Sequence, residues 1–175
     1  EAAGLLTWSP PDSLAAALAP PPAPPAVTLP DGEPPAADLP PPYEGGGRYL
    51  FVSYRHTDLD AIVPVLRSLQ DEGWNLWYDR GIPGGSEWNA VLEERLASSH
   101  ALLLFLSQAA VASKYVRREI LFADSIDKPI VGVQLGEVRL EHGLGLMLGH
   151  CQLLRRSEPG FLRQLGRALT YVDAA

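Results

Sequence analysis

The sequence holds one cysteine, Cys151, in 175 residues, so no internal disulfide can staple it. A disulfide scaffold is excluded, and a reducing, cytoplasmic compartment is expected. That cysteine and the four histidines (His56, His100, His142, His150) show no metal-ligand spacing, so no metal is expected. No run approaches the roughly 18 apolar residues of a membrane-spanning helix. Leu14–Ala19 is apolar but has no basic stretch before it, which argues against a signal peptide. Positive charge is also scarce, with 14 Lys and Arg against 21 Asp and Glu. Without a basic excess to hold a phosphate backbone, nucleic acid is not an expected partner. The chain opens on Glu1 rather than Met. We therefore expect a piece of a longer protein, with upstream domains or a membrane anchor outside it.

What is present is unevenly spread. Thirteen of the 17 prolines fall within residues 1–47, together with six acidic residues and no Lys or Arg. The formal charge of −7 thus divides into −6 on residues 1–47 and −1 on residues 48–175. The first segment reads as a Pro/Ala-rich acidic linker or tail, largely disordered. Its proline runs (residues 20–25 and 40–42) favour solvated polyproline II, and Gly45-Gly46-Gly47 supplies a joint. Thr7–Leu18 has the composition of a short helix, and the proline runs could also dock a proline-binding module. The body, residues 48–175, falls in the commonest single-domain size range of about 100–150 residues and can bury one core.

Along the body, short apolar runs alternate with amphipathic ones. Residues 49–54 read as a strand. Leu59, Ile62, Val63, Leu66 and Leu69 recur at helical spacing, closed by Gly73, with Pro64 expected to start or kink that helix. Residues 74–78 form a second strand, and residues 79–86 a loop made adaptable by three glycines. Trp88, Val91, Leu92 and Leu96 mark a second helix, with Ser86 as a candidate cap and Trp88 packing it on the sheet. Residues 101–106 are continuously apolar, as in a strand buried on both faces. A third helix over 113–126, a fourth strand over 129–135, a fifth over 151–154 and a last helix over 161–171 follow. Residues 136–149 are glycine-rich and show no clear period. This alternation predicts an α/β, flavodoxin-like three-layer sandwich: a five-stranded parallel sheet, order 2-1-3-4-5, with helices on both faces. The switch point lies between the first and third strands, where ligands of such sheets bind. Tyr54, Arg55 and Ser107 stand there, with Asp79 and Arg80 next door.

Several chemistries fail at that crevice. Pro83-Gly84-Gly85-Ser86 has no lysine, so it is no Walker loop. No Gly-x-Gly-x-x-Gly follows the first strand, and no Gly-x-Ser-x-Gly elbow occurs. The third strand ends in Leu106-Ser107, without the aspartate of a phospho-receiver. What remains is on the third helix. Tyr115, Glu119 and Phe122 share one helical face beside the apolar stripe Val116, Ile120 and Ala123. Glu119 reads either as an acid presented between aromatic rings or as a boundary glutamate paired with Lys114, Arg117 or Arg118.

Phe51-Val52-Ser53-Tyr54-Arg55 resembles the first box of Toll/interleukin-1 receptor (TIR) domains. Trp77-Tyr78-Asp79-Arg80-Gly81-Ile82-Pro83-Gly84-Gly85-Ser86 is similar to the family's second strand and BB loop. Leu104-Phe105-Leu106-Ser107, then Ser113-Lys114-Tyr115-Val116-Arg117-Arg118-Glu119-Ile120, resembles its third strand and following helix. The likeness covers about residues 48–172, and its style is closest to bacterial members of the NAD-hydrolase branch. It implies one of two functions. One is an NAD+ hydrolase, possessing in some members ADP-ribose cyclase activity, that serves as a self-associating effector in signalling or defence. The other is a non-catalytic adaptor working through homotypic TIR contacts. In enzymatic members a glutamate in a Trp-x-x-x-Glu pattern is catalytic. Glu119 takes that position, Tyr115 replaces the tryptophan, and Ser113 matches a small polar residue. An acid in this register favours the enzyme. The resemblance further implies that Tyr54 and Tyr115 stack on nicotinamide or ribose, that Arg55 reaches the diphosphate, and that Trp77 and Asp79 border the pocket. As alternatives, Tyr54 and Trp77 read as core residues and Arg55 as a surface charge. Arg80, Gly81, Ile82, Pro83, Gly84 and Gly85 would contact a neighbouring TIR domain. NAD+ enters as substrate, and no cofactor is implied.

Overall fold

Each strand of the body is bounded by what covers its two faces. In the computed structural model, residues 39–79, 86–141 and 143–173 are described, with the side chains of 86–88 and 173 left aside. The elements run β1 (Leu50–Ser53), α1 (Leu59–Asp71), β2 (Leu76–Trp77), α2 (Ser86–Ser98), β3 (Ala101–Leu106), α3 (Gln108–Ala112), α4 (Lys114–Ser125), β4 (Ile130–Gln134), α5 (Leu144–Met147), β5 (Gln152–Arg155) and α6 (Phe161–Asp173). A 3-10 turn, His56–Asp58, leads into α1. All pairings are parallel, and the order is β2-β1-β3-β4-β5. The expected fold is the observed one.

Period-two alternation divides the core in two. Leu50, Val52, Leu103, Phe105, Val131 and Val133 face α1 and α6, meeting Ile62, Leu66, Leu165 and Leu169. Phe51, Trp77, Leu102, Leu104 and Leu106 face the other way, toward Leu96 of α2, Val116 and Ile120 of α4 and Leu144 of α5. β3 is buried at all six positions because it is central and covered on both sides.

Local chemistry explains most boundaries. Gly73, at φ +92°, closes α1 as a left-handed cap that a side chain would strain. Pro64 neither starts nor ends α1, which runs on both sides of it. The buried stripe Ile62, Val65, Leu66 and Leu69 outweighs one lost backbone bond. Two elements were not foreseen. Ser107 caps the short α3, accepting from Ala110 N at 3.0 Å, and α5 lies within the glycine-rich stretch. β2 pairs only two residues, shorter than the expected 74–78.

The segment 39–47, assigned by composition to the linker, packs on the body. Leu39 is 8% exposed within the α1/α6 core. Tyr78 donates its hydroxyl to Pro40 O. Tyr43 N donates to Leu76 O at 2.8 Å, covering the edge strand, and Glu44 pairs with Arg95 of α2 at 3.0 Å. Apolar Leu39 and two tyrosines decide this, against a polar average. The expected short helix over Thr7–Leu18 and the proline run 20–25 lie outside the described residues.

Candidate functional site

The site begins with the parity of β1. Phe51 lies on the α2–α5 face and Val52 on the α1/α6 face. Ser53 therefore points toward α4, and Tyr54 away from it. Ser53 Oγ donates to Glu119 Oε2 at 2.5 Å, joining the carboxyl end of β1 to α4. Glu119 reaches this place because Ser113 starts α4. Ser113 is buried and accepts from Val116 N at 3.4 Å. Val116, Ile120 and Ala123 are buried, so the neighbouring stripe of Tyr115, Glu119 and Phe122 stands at the seam with α2.

A cavity of about 350 Å³ opens at that seam, lined by Asn89, Leu92, Glu93 and Leu96 of α2 and Tyr115, Arg118, Glu119 and Phe122 of α4. Its size lies in the range of small-molecule sites, about 300–1,000 Å³. Burial pushes the Glu119 carboxyl up to about 7; the Ser53 hydrogen bond pulls it down, and the negative charge of Asp79 pushes it further up. The arrangement is a half-buried carboxylate at the cavity wall, poised between its two charge states near neutral pH. Such a group can take up or release a proton, or stabilise a developing positive charge. Among the described residues Glu119 forms no ion pair. Arg117 instead donates to the carbonyls of Val111 and Ala112 at 3.1 and 2.9 Å. The reading of Glu119 as a paired boundary residue is therefore set aside.

Of the eight residues expected at the site, Glu119 and Tyr115 line the cavity, and Asp79 acts on it through its charge. Tyr115 is 60% exposed, with its ring available. The others are placed elsewhere. Tyr54 lies on the opposite face, in edge contact with His56 and Tyr78, and its hydroxyl donates to Asp79 O at 2.9 Å. It can steady Asp79 but does not face Glu119. Trp77, 4% exposed, stacks on Phe51 at 5.0 Å beneath the Arg95 guanidinium. It supports the wall from behind and offers no surface to a ligand. Ser107 caps α3 and donates to Asp58 Oδ2 at 2.6 Å, and Ser113 caps α4; both hydroxyls are engaged in holding helices. Arg55 is exposed and outside the cavity lining. Arg80, Gly81, Ile82, Pro83, Gly84 and Gly85 lie outside the described residues.

Sequence reasoning missed Ser53, Asn89 and Glu93, and named Arg118 only as an ion-pair partner of Glu119. Ser53 was accessible in principle, since alternation from Phe51 sends it to the α4 face. The α2 residues were not, because no sequence period says which helix meets α4. A wider cleft of about 690 Å³ between α1 and α6, lined by Pro64, Leu135, Arg156 and Arg163 among others, holds no carboxylate. Among the described residues no group of three or more His, Cys, Asp or Glu could hold a metal, and no helix is long and apolar enough to cross a membrane.

The TIR domain family profile matches residues 50–166. No curated protein sequence gives a match. The structure is similar to the TIR domain of the Toll-related receptor TRR-2 from Hydra magnipapillata, with 13% identity and a TM-score of 0.58 over 69% of this chain and 97% of that one. It is similar to the CMP N-glycosidase BcmB from Clostridium botulinum, with 14% identity and a TM-score of 0.52 over 69% and 99% of the two chains. A metazoan TIR-STING receptor from C. gigas, in complex with 2',3'-cGAMP, matches at 20% identity and a TM-score of 0.54; 75% of this chain covers 42% of that one. At these identities the likenesses speak for the fold.

Proposed function

This chain belongs to the TIR domain family, and we propose that its body is an NAD+ glycohydrolase of the bacterial type that cleaves the nicotinamide–ribose bond. The observation that carries this reading is Glu119: a carboxylate held by Ser53 at the wall of a nucleoside-sized cavity, beside the exposed ring of Tyr115. The chemistry suits a single acid. The pyridinium ring is cationic before it leaves. When the C–N bond breaks, its electron pair stays on the ring nitrogen and nicotinamide departs neutral. No proton donor is required, whereas an ordinary glycosidase needs two carboxylates, one of them to protonate the leaving oxygen. Glu119, ionised, would accept a hydrogen bond from a ribose hydroxyl and stabilise the oxocarbenium charge. Water then adds to that carbon, and its proton passes through Glu119 to solvent, giving ADP-ribose. A substrate nucleophile in place of water would give the cyclic product. Tyr115 would stack on nicotinamide or ribose, and exposed Arg55 would meet the diphosphate outside the cavity.

Activity on this reading needs the ionised carboxylate, so it rises with pH through about 7. The test is nicotinamide release from NAD+ by concentrated protein, against Glu119→Gln. Equal rates would remove the assigned role.

A second reading follows from the same carboxyl. BcmB acts on CMP, whose base must be protonated to leave neutral. A glutamate half protonated at pH 7 could supply that proton. Base release from CMP would then fall as pH rises through 7, opposite in sign to nicotinamide release. No base release from either nucleotide, even on clustering, would leave the adaptor function.

We also propose that residues 80–85 contact a neighbouring copy and complete the site, in a cytoplasmic effector held by its proline-rich linker to a sensor or oligomerising domain. Specific activity should rise with protein concentration. High, concentration-independent turnover by a proven monomer would remove this idea.

A further inference from the structure

We propose that Ser53 is a positioning residue for Glu119, holding the carboxylate in one orientation and in its ionised form at the cavity wall. The inference rests on the reading of Glu119 as the catalytic carboxylate. Ser53 is 1% exposed at the carboxyl end of β1, paired in register with Leu104 of β3. Its face of the sheet is otherwise apolar there: Phe51, Leu102, Leu104 and Leu106. A serine in that row gives up apolar burial and must satisfy a hydroxyl away from water. The described buried polar residues spend their hydroxyls in different ways. Ser99 donates to the carbonyl of Leu96 at the end of its own helix, and Ser113 caps α4. Ser53 alone among them donates to a carboxylate, one 66 residues away, at 2.5 Å. A carboxylate has about four lone-pair sites. One accepts from Ser53 and fixes the side chain; the remainder can accept from a substrate hydroxyl.

The titratable groups around Glu119 come from several elements. Asp79, from the end of β2, opposes ionisation. Glu93 of α2 and Arg118 of α4 share the cavity, with Tyr115 beside them. α3 and α5, also packed on α4, carry no titratable side chain within their spans. The described donor to the carboxylate is therefore Ser53. A hydrogen bond to the charged form favours that form.

The test compares wild type, Ser53→Ala and Ser53→Thr in two measurements. The first is nicotinamide release across pH 5.5–9. Ser53→Ala should move the acid limb upward by about one pH unit, which is roughly a tenfold loss of rate near pH 6 and a much smaller one near pH 9. Ser53→Thr keeps the hydroxyl and should restore the limb. The second is the NMR titration of the Glu119 side-chain carbon, which needs no turnover and should show the same upward movement in Ser53→Ala. Should wild type release no nicotinamide, the function reading fails and the titration alone judges Ser53. An unmoved titration in folded Ser53→Ala overturns the proposal, as does a uniform rate loss at every pH.

Discussion

The two faces of the sheet are built from the same strands and do different things. The α1/α6 face is packed with Leu50, Val52, Leu103, Phe105, Ile62 and Leu66, and the cleft between its two helices holds no carboxylate. Its tyrosine hydroxyls are tied to backbone carbonyls, Tyr54 to Asp79 O and Tyr78 to Pro40 O. The α2–α5 face has an equally apolar floor but breaks at Ser53 and Glu119, and there the cavity opens. Adjacent residues of one strand, Val52 and Ser53, divide the packed face from the face that carries the acid. A sheet with two covered faces can spend one on packing and carry a poorly solvated acid on the other.

The sharpest way to break this contrast is at the acid. Glu119→Gln should lower nicotinamide release by roughly 10²–10³-fold, the scale of losing one transition-state stabilising group, while thermal melting shows a folded protein. Leu66→Ala on the packed face should do the reverse: a loss of about 2–5 kcal/mol in denaturant unfolding, with the rate per folded molecule unchanged. If that cavity mutant also lost its turnover, the faces would be coupled.

The Glu119 carboxyl is raised above its ordinary value, so it favours folding fully below about pH 4.5 and loses that contribution as pH climbs through about 7. Glu119→Gln should therefore gain stability relative to wild type between pH 5 and pH 8, by up to roughly 3 kcal/mol and less where water reaches the carboxyl. A constant difference across that range would mean the acid is solvated. Smaller still, Tyr54→Phe should cost about 1 kcal/mol through its bond to Asp79 O and leave the KM for NAD+ almost unmoved, since it lies on the packed face. Last, Glu44→Ala at the exposed pair with Arg95 should change unfolding by about 0.5 kcal/mol or less.

The expected residues that lie off the cavity do so for local reasons. Tyr54 and Ser107 are expected at the site from the strand ends at the switch point, and Trp77 and Ser113 from the family resemblance. Strand parity sends Tyr54 to one face and Ser53 to the other, so a one-residue choice decides which of them meets Glu119. Ser107 and Ser113 sit at helix starts, where orphan backbone N–H groups claim their oxygens. Trp77 has too much apolar area for a strand packed under α2 to leave exposed. Residues 39–47 were misjudged because composition averages over a segment, while Leu39, Tyr43 and Glu44 act singly.

By itself the sequence determined the periods: strands of two, helices of 3.6, breaks at glycine and proline, and hence the parallel sheet, its order and the helix that carries Glu119. Those signals are local, set by backbone sterics and by the need to bury alternate residues. Only the tertiary structure decided that α2 and α4 meet to form a cavity, that Ser53 holds the acid, and that Asp79 stands close enough to raise it. Those depend on distances between elements far apart in the chain, and the electrostatics of a carboxylate follows from the dielectric and charges that surround it.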